Sequence, residues 1–184
     1  MEMFLFESNR LGFRKWSADD IDQFAALNAN EEVMKHFPST LSREQTTDFI
    51  DRLQKHQEEH GYCYFAVQVL ETSEFIGFIG LAYQKYESEF SPNTDIGWRL
   101  KNSAWGNGYA TEGAKRVLDY AFTELELDFV FSTCTEHNIP SENVMKKIGM
   151  KFKKVILHPN LKDHPDYERC KVYTLTRSEF LEKG

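Results

Sequence analysis

The sequence predicts a mixed α/β fold, a sheet with helices on both of its faces. Three observations carry that prediction. Apolar spacing switches between a period of two and a helical period, in the order strand, two helices, three strands, helix, strand, helix, two strands. At the centre, residues 95–122 read as strand, glycine loop and helix. Near the end, residues 151–157 and 168–176 read as two closing antiparallel strands around a polar loop. The 184 residues fit one domain spanning 1–184, long enough to bury a core.

Each element has its own signal. Residues 11–16 form the first strand, with mixed alternation. Ser17 stands three residues before Asp20, a helix-start spacing, and Ile21, Phe24, Ala25 and Leu27 give the helix over 18–29 a broad apolar face. Ser42 and Gln45 form a second capping box, before a helix over 43–60 whose apolar positions are Phe49, Ile50 and Leu53. Between these helices, residues 30–41 read as a loop. His36, Phe37 and Pro38 within it suit either a pocket wall or plain loop packing. Strands follow over 62–70 and 75–83, joined by a turn at 71–74. Gly77 and Gly80 in the second indicate close backbone approach or a bulge. Residues 84–94 form a polar loop before the strand over 95–100. The helix over 111–122 carries an apolar stripe of Val117, Leu118, Ala121 and Phe122. A buried strand over 127–135 comes next. A short helix starts near Pro140, turns Val144, Met145 and Ile148 inward, and ends at Gly149.

Composition narrows the class. Hydrophobic residues at 41% and charged residues at 28% are ordinary for a globular chain. The formal charge of -7 argues against a nucleic-acid or anionic-membrane partner. It favours an approaching cationic amine, or serves solubility alone. Three cysteines, Cys63, Cys134 and Cys170, lack metal or redox spacing and fit free thiols in a reducing cytoplasm. The short acidic start, Met1 to Glu7, does not read as a signal peptide, and no apolar run reaches the ~20 residues of a membrane span. His56 and His60 stand four apart, as zinc ligands on a helix do, but Gln57 replaces the glutamate of His-Glu-x-x-His. They read as exposed helix histidines, and no metal is expected.

The loop Trp105-Gly106-Asn107-Gly108-Tyr109-Ala110 is the most distinctive stretch. A glycine turn feeding a helix aims several N–H groups at one point. With the helix dipole this makes a phosphate or pyrophosphate site. An ordinary turn is the other reading, because Gly-x-Gly alone is a weak motif. No Lys-Ser or Lys-Thr follows, Thr111 stands where a dinucleotide fingerprint needs glycine, and the kinase triplets are absent.

Taken to Glu112, the run Trp-Gly-x-Gly-Tyr-Ala-Thr-Glu resembles the acyl-CoA loop of the GNAT superfamily of N-acetyltransferases, in the branch that includes the ribosomal-protein N-terminal acetyltransferases. Trp105 replaces the usual Arg or Gln. Residues 75–81 and 90–100 resemble the same branch, and Asn138-x-x-Ser141 with Lys146 to Met150 resembles the second family signature. The resemblance implies a mostly antiparallel sheet whose middle strands splay apart around acetyl-CoA, the co-substrate. It implies acetyl transfer to a primary amine by direct attack in a ternary complex, in the cytoplasm. The acceptor would be a small-molecule amine or a protein N-terminus, and a homodimer is compatible with the pattern. Backbone groups of Trp98, Arg99 and Leu100 would meet the pantetheine arm. Those of Trp105, Gly106, Asn107, Gly108, Tyr109 and Ala110 would hold the pyrophosphate, and Asn138 would bond the pantetheine. Lys146 or Lys147 would meet the adenosine phosphate or simply be solvated. Trp98 and Trp105 are expected to pack.

The chemistry asks for a base and an acid. An amine with a pKa near 10.4 or 8 is largely protonated at neutral pH and cannot attack a thioester until that proton leaves. Asp95 stands where related proteins often carry Glu; one methylene shorter, it would lean on a relay water. Its other reading is a strand cap or a partner of Arg99 or Lys101, and Glu136 is a weaker rival base. Met145 occupies the position of the family's usual acidic tyrosine, so Ser141 is the replacement candidate to protonate the departing thiolate. Ser141 could instead cap the helix, and solvent could supply the proton. These two departures leave open a catalytically inactive acyl-CoA-binding regulatory protein. Substrate choice is assigned to residues 30–41, 84–94 and 158–168.

Overall fold

The computed structural model describes residues 4–182; Met1 to Met3, part of the acidic start, lie outside them. Eight strands form one sheet: β1 (Phe6–Glu7), β2 (Leu11–Arg14), β3 (Tyr64–Val69), β4 (Phe75–Gln84), β5 (Asn93–Leu100), β6 (Phe129–Thr135), β7 (Lys151–Leu157) and β8 (Arg169–Thr176). Their spatial order is β1-β2-β3-β4-β5-β6-β8-β7. Every pairing is antiparallel except β5 with β6, which is parallel. The helices are α1 (Ile21–Asn28), α2 (Glu31–Met34), α3 (Arg43–His60), α4 (Tyr109–Asp119), α5 (Ile139–Lys147) and α6 (Arg177–Leu181).

The two sheet faces are packed by different chemistry. Residues paired across an antiparallel ladder share a face. Phe78 lies opposite Arg99, Gly80 opposite Gly97, and Ala82 opposite Asp95, so Asp95, Gly97 and Arg99 point the same way. On this side α1 and α3 bring Phe24 and Phe49, whose rings meet Phe78 at 6.0 Å each. The other side carries α4. Its Gly113 lies so close to the sheet that an added Cβ would stand 2.3 Å from Ile79 Cδ1. Phe13, Phe65, Ile79, Leu118 and Phe122 are buried here, each contributing about 1.5–3 kcal/mol of burial.

Most elements fall where the periodicity places them, and the second helix spans 43–60 as expected. Ser42 Oγ accepts from Gln45 N at 3.1 Å while Gln45 Oε1 accepts from Ser42 N at 2.8 Å, the reciprocal cap its spacing implies. Gly77 has φ +128°, and a Cβ there would sit 2.1 Å from the Arg99 carbonyl oxygen; the β3–β4 register shifts beside it. Both readings of the glycines, close approach and bulge, therefore hold.

Several boundaries differ. The expected loop 84–94 gives up Gln84 to β4 and Asn93–Thr94 to β5. The loop 30–41 contains α2, because Asn30 Oδ1 accepts from Glu32 N and Val33 N and starts a turn. α4 begins at Tyr109, two residues earlier than expected, because Gly108 at φ +78° already turns the chain into the helix. It closes with a π-turn over Tyr120–Glu124. β1 and α6 were not expected from periodicity; both are too short to show it.

Candidate functional site

The sheet opens between β5 and β6. Their ladder has one registered pair, Asp95 with Phe131, and Ser132 Oγ donates to the Ile96 carbonyl at 2.8 Å just past it. Beyond that point the strands diverge. A cavity of about 280 Å³ lies in the fork, walled by Gly97, Trp98 and Arg99 from one strand and Thr133, Cys134 and Thr135 from the other. A second cavity of about 160 Å³ continues toward α4, along Leu100, Trp105 and Ala110. Asn138, Ser141, His36 and Phe37 line both, so the pocket reading of the 30–41 segment holds.

Asp95 sits at the apex of the fork, 9% exposed. Tyr64 Oη donates to Oδ1 at 2.6 Å and Gln84 Nε2 to Oδ2 at 3.1 Å. Burial pushes the carboxyl up to about 7, against the hydrogen bonds from Tyr64, Gln84 and the Ala82 backbone, which pull it down. Neither expected cation reaches it: Lys101 pairs with Glu74, and Arg99 points to Asn28. Tyr64, read from sequence as plain sheet core, reaches Asp95 because Gly97 leaves room. A Cβ at Gly97 would stand 3.1 Å from the Tyr64 ring, which also stacks on Phe78 at 5.0 Å. Burial and the adjacent Asp95 hold the Tyr64 hydroxyl in its protonated, donating form.

The far end is built for an anion. Gly106 and Gly108 have φ +77° and +78°. The first intrahelical bond of α4 runs from Glu112 N to the Gly108 carbonyl, and Gly108 has no side chain to cap the amides that precede it. An added Cβ at Gly106 would meet nothing within 4 Å. Those free donors, the dipole and the open space fit a diphosphate. The turn is held from outside: Arg10 Nη2 donates to the Asn107 carbonyl at 3.0 Å, and Arg10 Nε to Glu112 at 2.7 Å. Trp105 is 42% exposed rather than packed, anchored by Nε1 donating to the Leu100 carbonyl at 2.9 Å. The Leu100 carbonyl, one of the backbone groups of residues 98–100, is thus engaged by Trp105.

The remaining candidates separate cleanly. Asn138, not Ser141, caps α5, with Oδ1 accepting from Ser141 N at 3.2 Å. Ser141 therefore keeps its hydroxyl free of capping, while Met145 is buried and lines the fork. Glu136 lines neither cavity; its carboxylate meets Arg169 at 2.5 and 3.2 Å, which holds its pKa down. That overturns it as a rival base. Lys146 pairs with Glu142 at 3.0 Å. His56 and His60 are half-buried, not exposed, and His56 Nε2 accepts from Tyr83 N at 3.0 Å, which takes that nitrogen from any metal. Among the described residues no helix is long and apolar enough to cross a membrane.

Comparison with known proteins shows the family and the fold. Residues 10–151 match the family model described as an acetyltransferase (GNAT) domain. The chain is 32% identical over 154 residues to the uncharacterized N-acetyltransferase YnaD of Bacillus subtilis, covering 81% of this chain and 86% of that one. The crystal structure of a GNAT-family acetyltransferase from Bacillus anthracis superposes with a TM-score of 0.77 at 25% identity, over 94% of this chain and 98% of the other. A Vibrio cholerae spermidine N-acetyltransferase, solved with CoA and spermine, shares the fold at TM-score 0.73 and 18% identity, over 94% and 98%.

Proposed function

The chain belongs to the GNAT family of acetyltransferases, and on that premise we propose that it transfers an acetyl group from acetyl-CoA to a primary amine by direct attack in a ternary complex. The observation that carries this reading is the fork: two parallel strands touch at Asp95 and then part, and the gap runs from a buried carboxylate to an uncapped helix start.

Acetyl-CoA supplies the acyl thioester. The amides of Gly106 to Ala110 hold its diphosphate, the β5 backbone from Trp98 to Leu100 and the Nδ2 of Asn138 hold the arm, and the fork receives the reacting end. Asp95 takes the ammonium proton, directly or through a water. Tyr64, Gln84 and the Ala82 N–H occupy three of the carboxylate's roughly four lone-pair sites and leave one for that proton. A base near pH 7 is well matched to this work. Ser141 passes a proton to the departing thiolate, whose reference pKa is about 8.5, and regains its own from the nitrogen that becomes the product amide. No observation in the site favours the regulatory alternative. The whole chain acts as one such domain, and its three buried free thiols support a cytoplasmic setting.

Steady-state release of CoA against peptides, polyamines, amino acids and amine antibiotics tests the proposal. Turnover with at least one class is expected. Binding of acetyl-CoA without transfer to any of them would contradict it.

A further inference from the structure

The transfer step makes no use of the Arg99 side chain, although it lines the fork. It shares the strand face of Asp95 and Gly97, opposite the face against α4. Its guanidinium carbon lies 4.3 Å from the Phe37 ring centroid, 5.4 Å from that of Phe78 and 5.9 Å from that of Phe49. Nη1 donates to Asn28 Oδ1 at 2.7 Å, and Asn28 is itself fully buried and tied to Thr46. Nε is buried with no hydrogen-bond partner, and among the described residues no carboxylate comes within ion-pair distance. Desolvation pulls this guanidinium down to about 10. A cation so placed, without a counter-ion, costs stability. The aromatic rings offset only part of that cost.

The fork's wall contains one carboxylate and one guanidinium, Asp95 and Arg99, besides the imidazoles of His36 and His158. Glu32 touches only the smaller cavity, with Oε2 held by Asn102 at 2.8 Å. A polyamine entering the fork would set a second ammonium beside Arg99. An amine with a carboxylate on the same molecule meets both charges with the right sign. Arg presents a planar fork of donors that suits a carboxylate.

Resting on the transfer reading above, we propose that the acceptor is a small amino carboxylate, its amine at Asp95 and its carboxylate at Arg99, and that Arg99 is the specificity-determining residue. The phosphates of the acyl carrier are the competing source of an anion for Arg99, and the test separates the two.

Unbranched amino carboxylates from glycine to 6-aminohexanoate, the matching n-alkylamines and spermidine are compared as acceptors, with wild type, Arg99→Gln and Arg99→Lys. The same compounds are titrated by calorimetry into the protein with CoA present. In wild type, at least one amino carboxylate should exceed its alkylamine by about tenfold or more in kcat/KM, the scale of a charged hydrogen bond. Arg99→Gln should bring that ratio toward one through the acceptor KM, with the acetyl-CoA KM moving less. Arg99→Lys should fall between, which keeps the test alive if the glutamine variant does not fold. Preference for alkylamines or spermidine, a ratio that survives Arg99→Gln, or a change carried by the acetyl-CoA KM would overturn the proposal. If nothing is acetylated, the calorimetry decides. Amino carboxylates binding no better than alkylamines would overturn the Arg99 assignment, whereas tight binding without turnover would uphold it and contradict the transfer reading.

Discussion

Asp95 and Tyr64 form a pair whose behaviour follows from burial. With Asp95 at about 7, kcat/KM should climb with pH through the neutral range as the carboxylate forms. Asp95→Asn should remove that limb and cost about 10²–10⁴-fold in kcat, read from pH–rate profiles of both proteins. Tyr64→Phe deletes a hydrogen bond that lowers the Asp95 pKa, so the limb should move to higher pH; movement the other way would mean that Tyr64 does not act through Asp95. Asp95 was legible as a candidate through the family resemblance, because it stands where related proteins often carry Glu. Its partners were not. Tyr64 looks like any aromatic in a strand, and only the register that sets Gly97 under its ring shows why it reaches across. Arg99 was legible for its backbone and as a candidate partner of Asp95, but its guanidinium turns to Asn28 instead; a side chain's lack of a counter-ion is a property of the folded neighbourhood.

The glycine turn and the divergence of β5 from β6 are the elements that make the cleft. Gly108→Ala forces a left-handed φ on a residue with a Cβ, worth about 1–2 kcal/mol, while the nearest atom, Arg10 Nη2, stands at an ordinary 3.7 Å. A Tm drop of a few degrees is expected together with a severalfold rise in the acetyl-CoA KM. Gly61, at φ +81° at the end of α3, provides the comparison: Gly61→Ala should lower Tm similarly and leave that KM alone. Equal KM effects in both variants would detach the turn from carrier binding. The helices and strands were legible because their apolar spacing is long and regular, and the capping box at Ser42 marked α3 to the residue. The ends of β5 and α4 were not, since ladder pairing carried β5 back to Asn93 and a glycine's dihedral angle started α4 early. The same limit applied to Ser141, whose capping role went to Asn138 three residues before it.

Over the whole molecule, Asp95 links stability to pH. Its folded pKa lies above its unfolded one, so its favourable contribution is complete below about pH 4 and is lost as the pH rises through about 7. Chemical denaturation of wild type and Asp95→Asn should show the variant gaining on wild type from pH 5 to pH 8, by up to a few kcal/mol. A flat difference would place Asp95 in a more hydrated setting than its burial indicates. The order of elements was legible along the chain because each strand and helix announces itself locally. The order of strands in space, with β8 between β6 and β7, was not, since it depends on pairings between distant segments. The central claim is that the gap between β5 and β6 holds the acyl carrier, and a crystal structure grown with CoA tests it most directly. The arm should lie along Trp98 to Leu100 with its thiol beside Asp95 and its diphosphate on the amides from Gly106 to Ala110. CoA bound elsewhere, with the gap vacant and those amides unengaged, would contradict it.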